Sequence, residues 1–145
     1  MLGVDTNSLK NAKIEPKDVI KFLGDRSLEV GFFSNATYPS GEYVAQVAKW
    51  QEYGTIHIPM RPFMRNAVEK NNKKWFDTLG ELIKQNATQE QALGKIGEIA
   101  RGDIIKSITQ FREPANNPST IKAKGSSNPL IDTGLMRRSV TYKVK

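Results

Sequence analysis

The residue best suited to acid–base or metal chemistry in this chain is its single histidine, His57. A catalytic histidine needs a nucleophile or carboxylate beside it, and a zinc site needs further histidine, cysteine or carboxylate ligands. The neighbours of His57 are Ile56 and Ile58, and no such residue lies at ligand spacing around it. The chain has no cysteine, which removes thiolate ligands, cysteine nucleophiles and disulfides. We therefore expect His57 to be an exposed or packing residue of a loop.

The remaining polar residues form no catalytic or cofactor-binding pattern. The glycines do not build a phosphate-binding loop between a strand and a helix, and the serine pair at 126–127 has no candidate base nearby. The carboxylates are spaced as helix-surface charges that can pair with lysines three or four residues away, among them Glu42, Glu52, Asp77 and Glu81. We predict that the protein is not an enzyme and has neither a cofactor nor a metal site.

Positive charge is concentrated near the C-terminus. The net charge is +7, and from Thr120 onward the only acidic residue is Asp132. An anionic partner should therefore be attracted to this segment, although a solvated tail that favours solubility is the simpler interpretation. The basic residues of the segment are Lys122, Lys124, Arg137, Arg138, Lys143 and Lys145.

Five aromatic residues offer a second route to nucleic acid, because bases stack on aromatic rings. They recur at helical spacing among valines and leucines, which favours packing in a core instead. These residues are Trp50, Tyr53, Phe63, Trp75 and Phe76.

Hydrophobic periodicity gives the order of the elements that must position these residues. It predicts a short helix over 16–24 and then a strand over 27–33. A second helix is predicted over about 41–53, capped by Ser40 and ended by Gly54, since a glycine readily takes the positive φ that ends many helices.

Two long helices follow. Pro62 suits the start of a helix that runs to about Gln85. Thr88 and Gln91 have the spacing of a capping box and open another helix, whose apolar face continues to Phe111. Because their connection is short, the two helices should pack antiparallel.

The last third of the chain changes character. Residues 112–128 read as a flexible loop of about 17 residues, longer than compact domains usually contain. The alternation over 140–144 then predicts a closing strand that pairs with 27–33. Together these elements predict one α+β domain over 1–145, with a small antiparallel sheet packed by several helices that include a long helical hairpin.

Three segments, taken in order, resemble one family. They are 47–55 (VAKWQEYGT), 58–64 (IPMRPFM) and 129–142 (PLIDTGLMRRSVTY). The set is similar to the tail-completion and head-tail joining proteins of tailed bacteriophages, which include the minor tail component of lambdoid phages and the virion-morphogenesis proteins of contractile-tailed ones. The resemblance covers roughly residues 27–145 and depends on the ordered set, since each motif alone is weak.

The first two motifs predict a stiff turn between helices. Gly54 ends a helix, and Pro59 and Pro62 restrict the path into the next one. Arg61 would then lie on a rigid outward bend, where its guanidinium can make a forked contact with a carboxylate. We favour a contact within the subunit over one with a neighbour, because the segment must also be anchored.

The third motif predicts another turn. The side chains of Asp132 and Thr133 can hydrogen-bond local backbone, and Gly134 permits a positive φ. A turn from the long loop into the final strand accounts for all three residues. We therefore expect partner contacts in residues 112–128 and in the basic strand that follows.

The resemblance implies a structural virion protein that forms a ring or plug at the head-proximal end of the tail. Its partners would be tail-tube or terminator proteins and head-connector proteins, with contact to the DNA in the tail lumen as a further option. It would assemble in the host cytoplasm, as a monomer until a partner nucleates a homo-oligomeric ring. The alternatives are a tail terminator, a head-closure protein or, in another class, a basic nucleic-acid-binding module.

No membrane association is expected. Residues 1–13 lack the apolar core of a signal peptide. No stretch approaches the roughly 20 apolar residues that a membrane-spanning helix requires.

Overall fold

Two long helices, joined by a short connection, organise the fold in the computed structural model, which describes residues 14–33, 35–111 and 134–145. Within these residues the chain is α+β, as predicted, with a two-stranded sheet. The helices are α1 (Pro16–Leu23), α2 (Val44–Tyr53), α3 (Phe63–Lys84), α4 (Gln89–Gln110) and α5 (Leu135–Arg138). The strands are β1 (Leu28–Gly31) and β2 (Thr141–Val144).

The predicted capping box opens α4. The Thr88 hydroxyl accepts a hydrogen bond from the Gln91 backbone N–H at 3.1 Å, and the Gln91 side chain accepts one from the Thr88 N–H at 2.9 Å. Asn86, with φ 60°, turns the chain between the two helices. Because both turn and cap are built from neighbouring residues, the hairpin of α3 and α4 is specified by local sequence.

The sheet joins the two ends of the described chain. Strands β1 and β2 pair antiparallel, with Leu28 opposite Val144 and Gly31 opposite Thr141. This confirms the predicted pairing of the closing strand with the 27–33 segment. The strands are short, and only a helix packed against the sheet can bury one of its faces.

Close packing fixes the sheet on α4. A Cβ atom on Gly97 would lie 2.4 Å from Cδ2 of Tyr142, so the tyrosine ring rests on the bare helix backbone. One turn further on, Nε of Arg101 donates a hydrogen bond to the Val140 carbonyl at 2.8 Å. Glycine at 97 is thus a packing requirement that the helical pattern of the sequence does not reveal.

Most of the buried apolar side chains fall into two clusters, one toward each end of the helical hairpin. The larger cluster comprises Val44, Ala48, Phe63, Ala67, Ile104, Ile108, Met136 and Val140. The smaller comprises Val19, Leu79, Ala92 and Ile96. Full burial of each large side chain contributes about 1.5–3 kcal/mol before entropic costs, so the larger cluster dominates the packing energy.

Three boundaries differ from the predictions. Helix α2 begins at Val44 after Tyr43, so Ser40 is not its cap; the Ser40 hydroxyl instead donates to the Glu42 carboxylate. The reason is a bridge between Thr37 and Tyr43, which holds Tyr43 in an extended conformation directly before the helix. Strand β1 is shorter than predicted, and α5 is a helical turn that was not predicted.

Part of the prediction lies outside the described residues. The undescribed residues include the 112–128 loop, with its Lys122 and Lys124, and the turn residues Asp132 and Thr133.

Candidate interaction surface

The connection between α2 and α3, residues 54–62, is a loop held in one shape by its own backbone. Gly54 ends α2 with φ 76°, and its N–H donates to the Trp50 carbonyl at 2.8 Å. A Cβ atom at this position would lie 3.0 Å from the backbone N of Met60, because the loop folds back against its own start. The prediction that Gly54 ends the helix at positive φ is confirmed, and the close approach adds a second reason for glycine.

A threonine-centred turn shapes the tip of the same loop. The Thr55 hydroxyl accepts hydrogen bonds from the N–H groups of His57 at 3.2 Å and Ile58 at 3.0 Å. The Thr55 N–H donates to the Ile58 carbonyl at 2.8 Å. These bonds satisfy the local backbone without help from outside the loop, and His57 is exposed at its tip.

A buried carboxylate fastens the loop to the start of α3. Glu52 is 6% exposed and accepts hydrogen bonds from the N–H groups of Met64 at 2.8 Å and Arg65 at 3.1 Å. Nε of Arg65 adds a third bond at 2.8 Å. The N-cap residue Pro62 provides no side-chain cap, so a carboxylate from α2 satisfies these terminal donors and interacts favourably with the helix dipole.

The prediction of Glu52 as a helix-surface charge was therefore wrong. Its spacing matches that of a surface charge, but its partners lie beyond the loop rather than on its own helix. Arg65 completes this junction between the end of α2 and the start of α3. Its Nη2 donates to the Glu52 carbonyl at 2.7 Å, and its guanidinium lies over the Tyr53 ring at 5.1 Å.

Arg61 lies inside this junction and not on an outward bend, so that prediction was wrong too. The residue is 4% exposed, and burial lowers the pKa of its guanidinium from the ordinary value. Its backbone N–H donates to the Gln51 carbonyl at 2.6 Å and its Nη1 to the Gln51 side-chain oxygen at 2.8 Å. A contact of Arg61 within the subunit is thus observed, with the side-chain oxygen of Gln51 as one acceptor.

The locked loop presents apolar side chains to solvent. Ile56 is 96% exposed, Tyr53 63% and Met60 51%; we call these three residues the tip surface. Of the aromatic residues expected in the core, Phe63 is buried there, whereas Tyr53 is exposed and Trp50 and Phe76 are partly so. Aromatic residues and methionine are enriched at protein interfaces, which makes this surface a candidate contact site.

The described basic residues in and next to the third motif do not belong to the tip surface. Gly134 has φ 77°, as predicted, and precedes the single turn that contains Arg137 and Arg138. Arg138 is exposed and Arg137 is half-buried, while Nζ of Lys143 lies 4.1 Å from the centroid of the Phe33 ring. Arg61, by contrast, is buried in the junction between α2 and α3.

The three motif segments nevertheless meet in the larger core cluster. Ala48 comes from the first segment, Phe63 from the second, and Met136 and Val140 from the third. The described parts of all three segments thus contribute to one core.

Neither a metal nor a membrane is suggested by the described structure. In residues 14–33, 35–111 and 134–145, no three His, Cys, Asp or Glu side chains are grouped so as to hold a metal ion. Of the helices in this part of the chain, none is both long and apolar enough to cross a membrane. No protein-family model, curated protein or solved structure matches the chain.

Proposed function

We propose that this chain is a structural, non-enzymatic subunit of a tailed-phage virion, which completes the tail and joins it to the head within a ring at the head-proximal end. The observation that carries the proposal is the tip surface, three exposed apolar side chains on or beside a loop whose anchoring residues come from two of the three motif segments. An enzyme would instead require reactive groups placed together.

The tip surface is suited to contact with the next copy of the chain around the ring. Rings form when a patch on one subunit binds a different patch on its neighbour and the rotation closes. Because the hydrogen bonds of Gly54, Thr55 and Glu52 already order the loop, little conformational entropy is lost when it binds. Tyr53, Ile56 and Met60 then contribute the apolar area of the contact.

The exposed basic residues have a separate role in this proposal. Arg138 lies in the third motif segment and Lys143 on β2 just after it, and their charge suits an acidic neck protein or the DNA that passes through the tail.

Labelling in the virion tests the location. Tails are purified from a phage that carries this protein with an N-terminal gold-binding tag, and are imaged by electron microscopy. The proposal predicts label at the head-proximal tip and tails without heads when the protein is omitted. Label along the tail, or no label on tails, would contradict it.

The same images distinguish the nearest alternatives. A terminator would bind the last tube ring before any head protein arrives, and a head-closure protein would remain on heads when tails are absent. A nucleic-acid-binding module would bind free DNA with an affinity that falls steeply as salt is added.

A further inference from the structure

A second feature is a groove of about 250 Å³ between α3 and α4. Three lysines line it: Lys70 and Lys74, one helical turn apart on α3, and Lys106 on α4. The antiparallel hairpin brings these stretches together, as shown by the 2.7 Å hydrogen bond from the Ser107 hydroxyl to the Phe63 carbonyl.

The charges in the groove are unbalanced. Among its described lining residues the one carboxylate, Asp103, is 15% exposed and pairs with Nζ of Lys74 at 2.7 Å. The same oxygen also accepts the indole N–H of Trp75 at 2.7 Å. Lys70 and Lys106 are exposed and have neither a hydrogen bond nor an ion pair with any residue in the described ranges. Two ammonium groups on opposite walls thus face the groove without a described anionic partner.

The other lining residues indicate which anion would fit. The side-chain amides of Asn66 and Gln110 can donate hydrogen bonds, and the walls also include Ala67 and the ring of Phe111. Amide donors, ammonium groups and an apolar wall suit a peptide in which carboxylates alternate with apolar side chains. A nucleic-acid backbone is a poorer match, because the groove is small and its apolar wall of Ala67 and Phe111 offers nothing to a chain of phosphates.

We propose that the groove between α3 and α4 binds an acidic segment of a partner protein, with Lys70 and Lys106 each pairing with a carboxylate. The groove and the tip surface share no residue. This proposal does not depend on the assignment to a phage tail, since it rests on charge and shape alone.

Fluorescence anisotropy tests the proposal on the full chain. The probe is a short fluorescein-labelled peptide in which glutamates alternate with leucines, and the comparison probe is a single-stranded oligonucleotide of equal net charge. We expect the peptide to bind and the double variant Lys70→Glu/Lys106→Glu to weaken its affinity by roughly tenfold or more. The milder Lys70→Ala/Lys106→Ala variant should show a smaller loss and guards against an effect on folding.

The matched control is Lys49→Glu/Lys95→Glu, which changes the net charge equally at two other exposed lysines. It should retain most of the affinity if the groove is the site. Equal weakening by the control would show that only net charge matters and would overturn the proposal. Tighter binding of the oligonucleotide, lost in the groove variants, would also overturn it and assign the groove to phosphate.

Discussion

The two ends of helix α3 are held in different ways. At its C-terminal end, Asn86 turns the chain and the Thr88 capping box starts α4, all within a few residues. At its N-terminal end, the cap is the carboxylate of Glu52, which lies 12 residues before its partner Met64 and across a loop. The first end depends on local hydrogen bonds at the surface, and the second on a buried charge that ties two helices together.

This difference has a consequence for function. A surface turn with a local cap can tolerate change without moving the rest of the fold. A junction tied by Glu52 and Arg61 fixes the direction of α2 relative to α3, and with it the position of the tip surface. Rigidity at the N-terminal end is therefore the property that suits an assembly contact.

Removal of the buried carboxylate should have the largest effect. Glu52→Ala leaves the N–H groups of Met64 and Arg65 without their acceptor, and we expect a loss of about 3 kcal/mol in the free energy of unfolding. Glu81→Ala, at the other end of α3, removes a carboxylate that is 53% exposed and 3.6 Å from Lys84, so its cost should be below about 0.5 kcal/mol. Urea unfolding measures both, and equal losses would contradict the distinction between the two ends.

Substitution of the loop glycine should have the next largest effect. Gly54→Ala combines a positive φ with a Cβ that would lie 3.0 Å from the Met60 backbone, which should cost about 1–3 kcal/mol. Gly102→Ala is the control, because this helical glycine has open space around it and no positive φ. Alanine there should stabilise the fold by about 0.5–1 kcal/mol. The midpoint temperature of thermal unfolding should thus fall in Gly54→Ala and rise in Gly102→Ala. An unchanged midpoint for Gly54→Ala would show that the loop can relax.

The capping box should matter less than the buried carboxylate. Thr88→Ala removes the acceptor for the Gln91 N–H, for a cost of about 1 kcal/mol, the usual value for a helix N-cap. Urea unfolding followed by circular dichroism measures this loss in the free energy of unfolding. A loss as large as that of Glu52→Ala would mean that the two ends are held equally strongly.

The smallest effect is expected at the turn residue itself. Asn86 has φ 60°, a conformation that glycine adopts at lower cost. Asn86→Gly should therefore leave stability unchanged or raise it by up to about 0.5 kcal/mol. A clear loss in unfolding free energy would instead reveal a side-chain role for this asparagine.

The same contrast explains how much could be predicted from sequence. The capping box, the start of α3 after Pro62, the end of α2 at Gly54 and the antiparallel strand pair all follow from local patterns, and the structure confirms them. Glu52 and Arg61 were misplaced because their partners lie across a loop, where helical spacing carries no information. The packing of Tyr142 on Gly97 was missed for the same reason.

The exposure of the tip surface could not be predicted from the sequence either. Tyr53 belongs to the apolar pattern of α2 and was expected in the core, yet it is 63% exposed. The pattern predicts which residues share a helix face, but the fold decides whether that face is covered. One usable signal was present, namely the consecutive Ile56-His57-Ile58 in a loop where apolar residues have no core to join.

Cysteine footprinting at the tip tests the central claim, which is that the tip surface becomes a subunit contact in the virion. The chain has no cysteine, so Ile56→Cys gives a single reactive site, and Ile20→Cys is a control at an isoleucine that is 70% exposed on α1. Both variants should react with a maleimide dye as free chains. The account predicts that Cys at 56 is protected in intact virions while Cys at 20 still reacts, and that a photo-crosslinker attached at 56 gives a band of twice the 16.2 kDa chain. Full reactivity at position 56 in intact virions would contradict it.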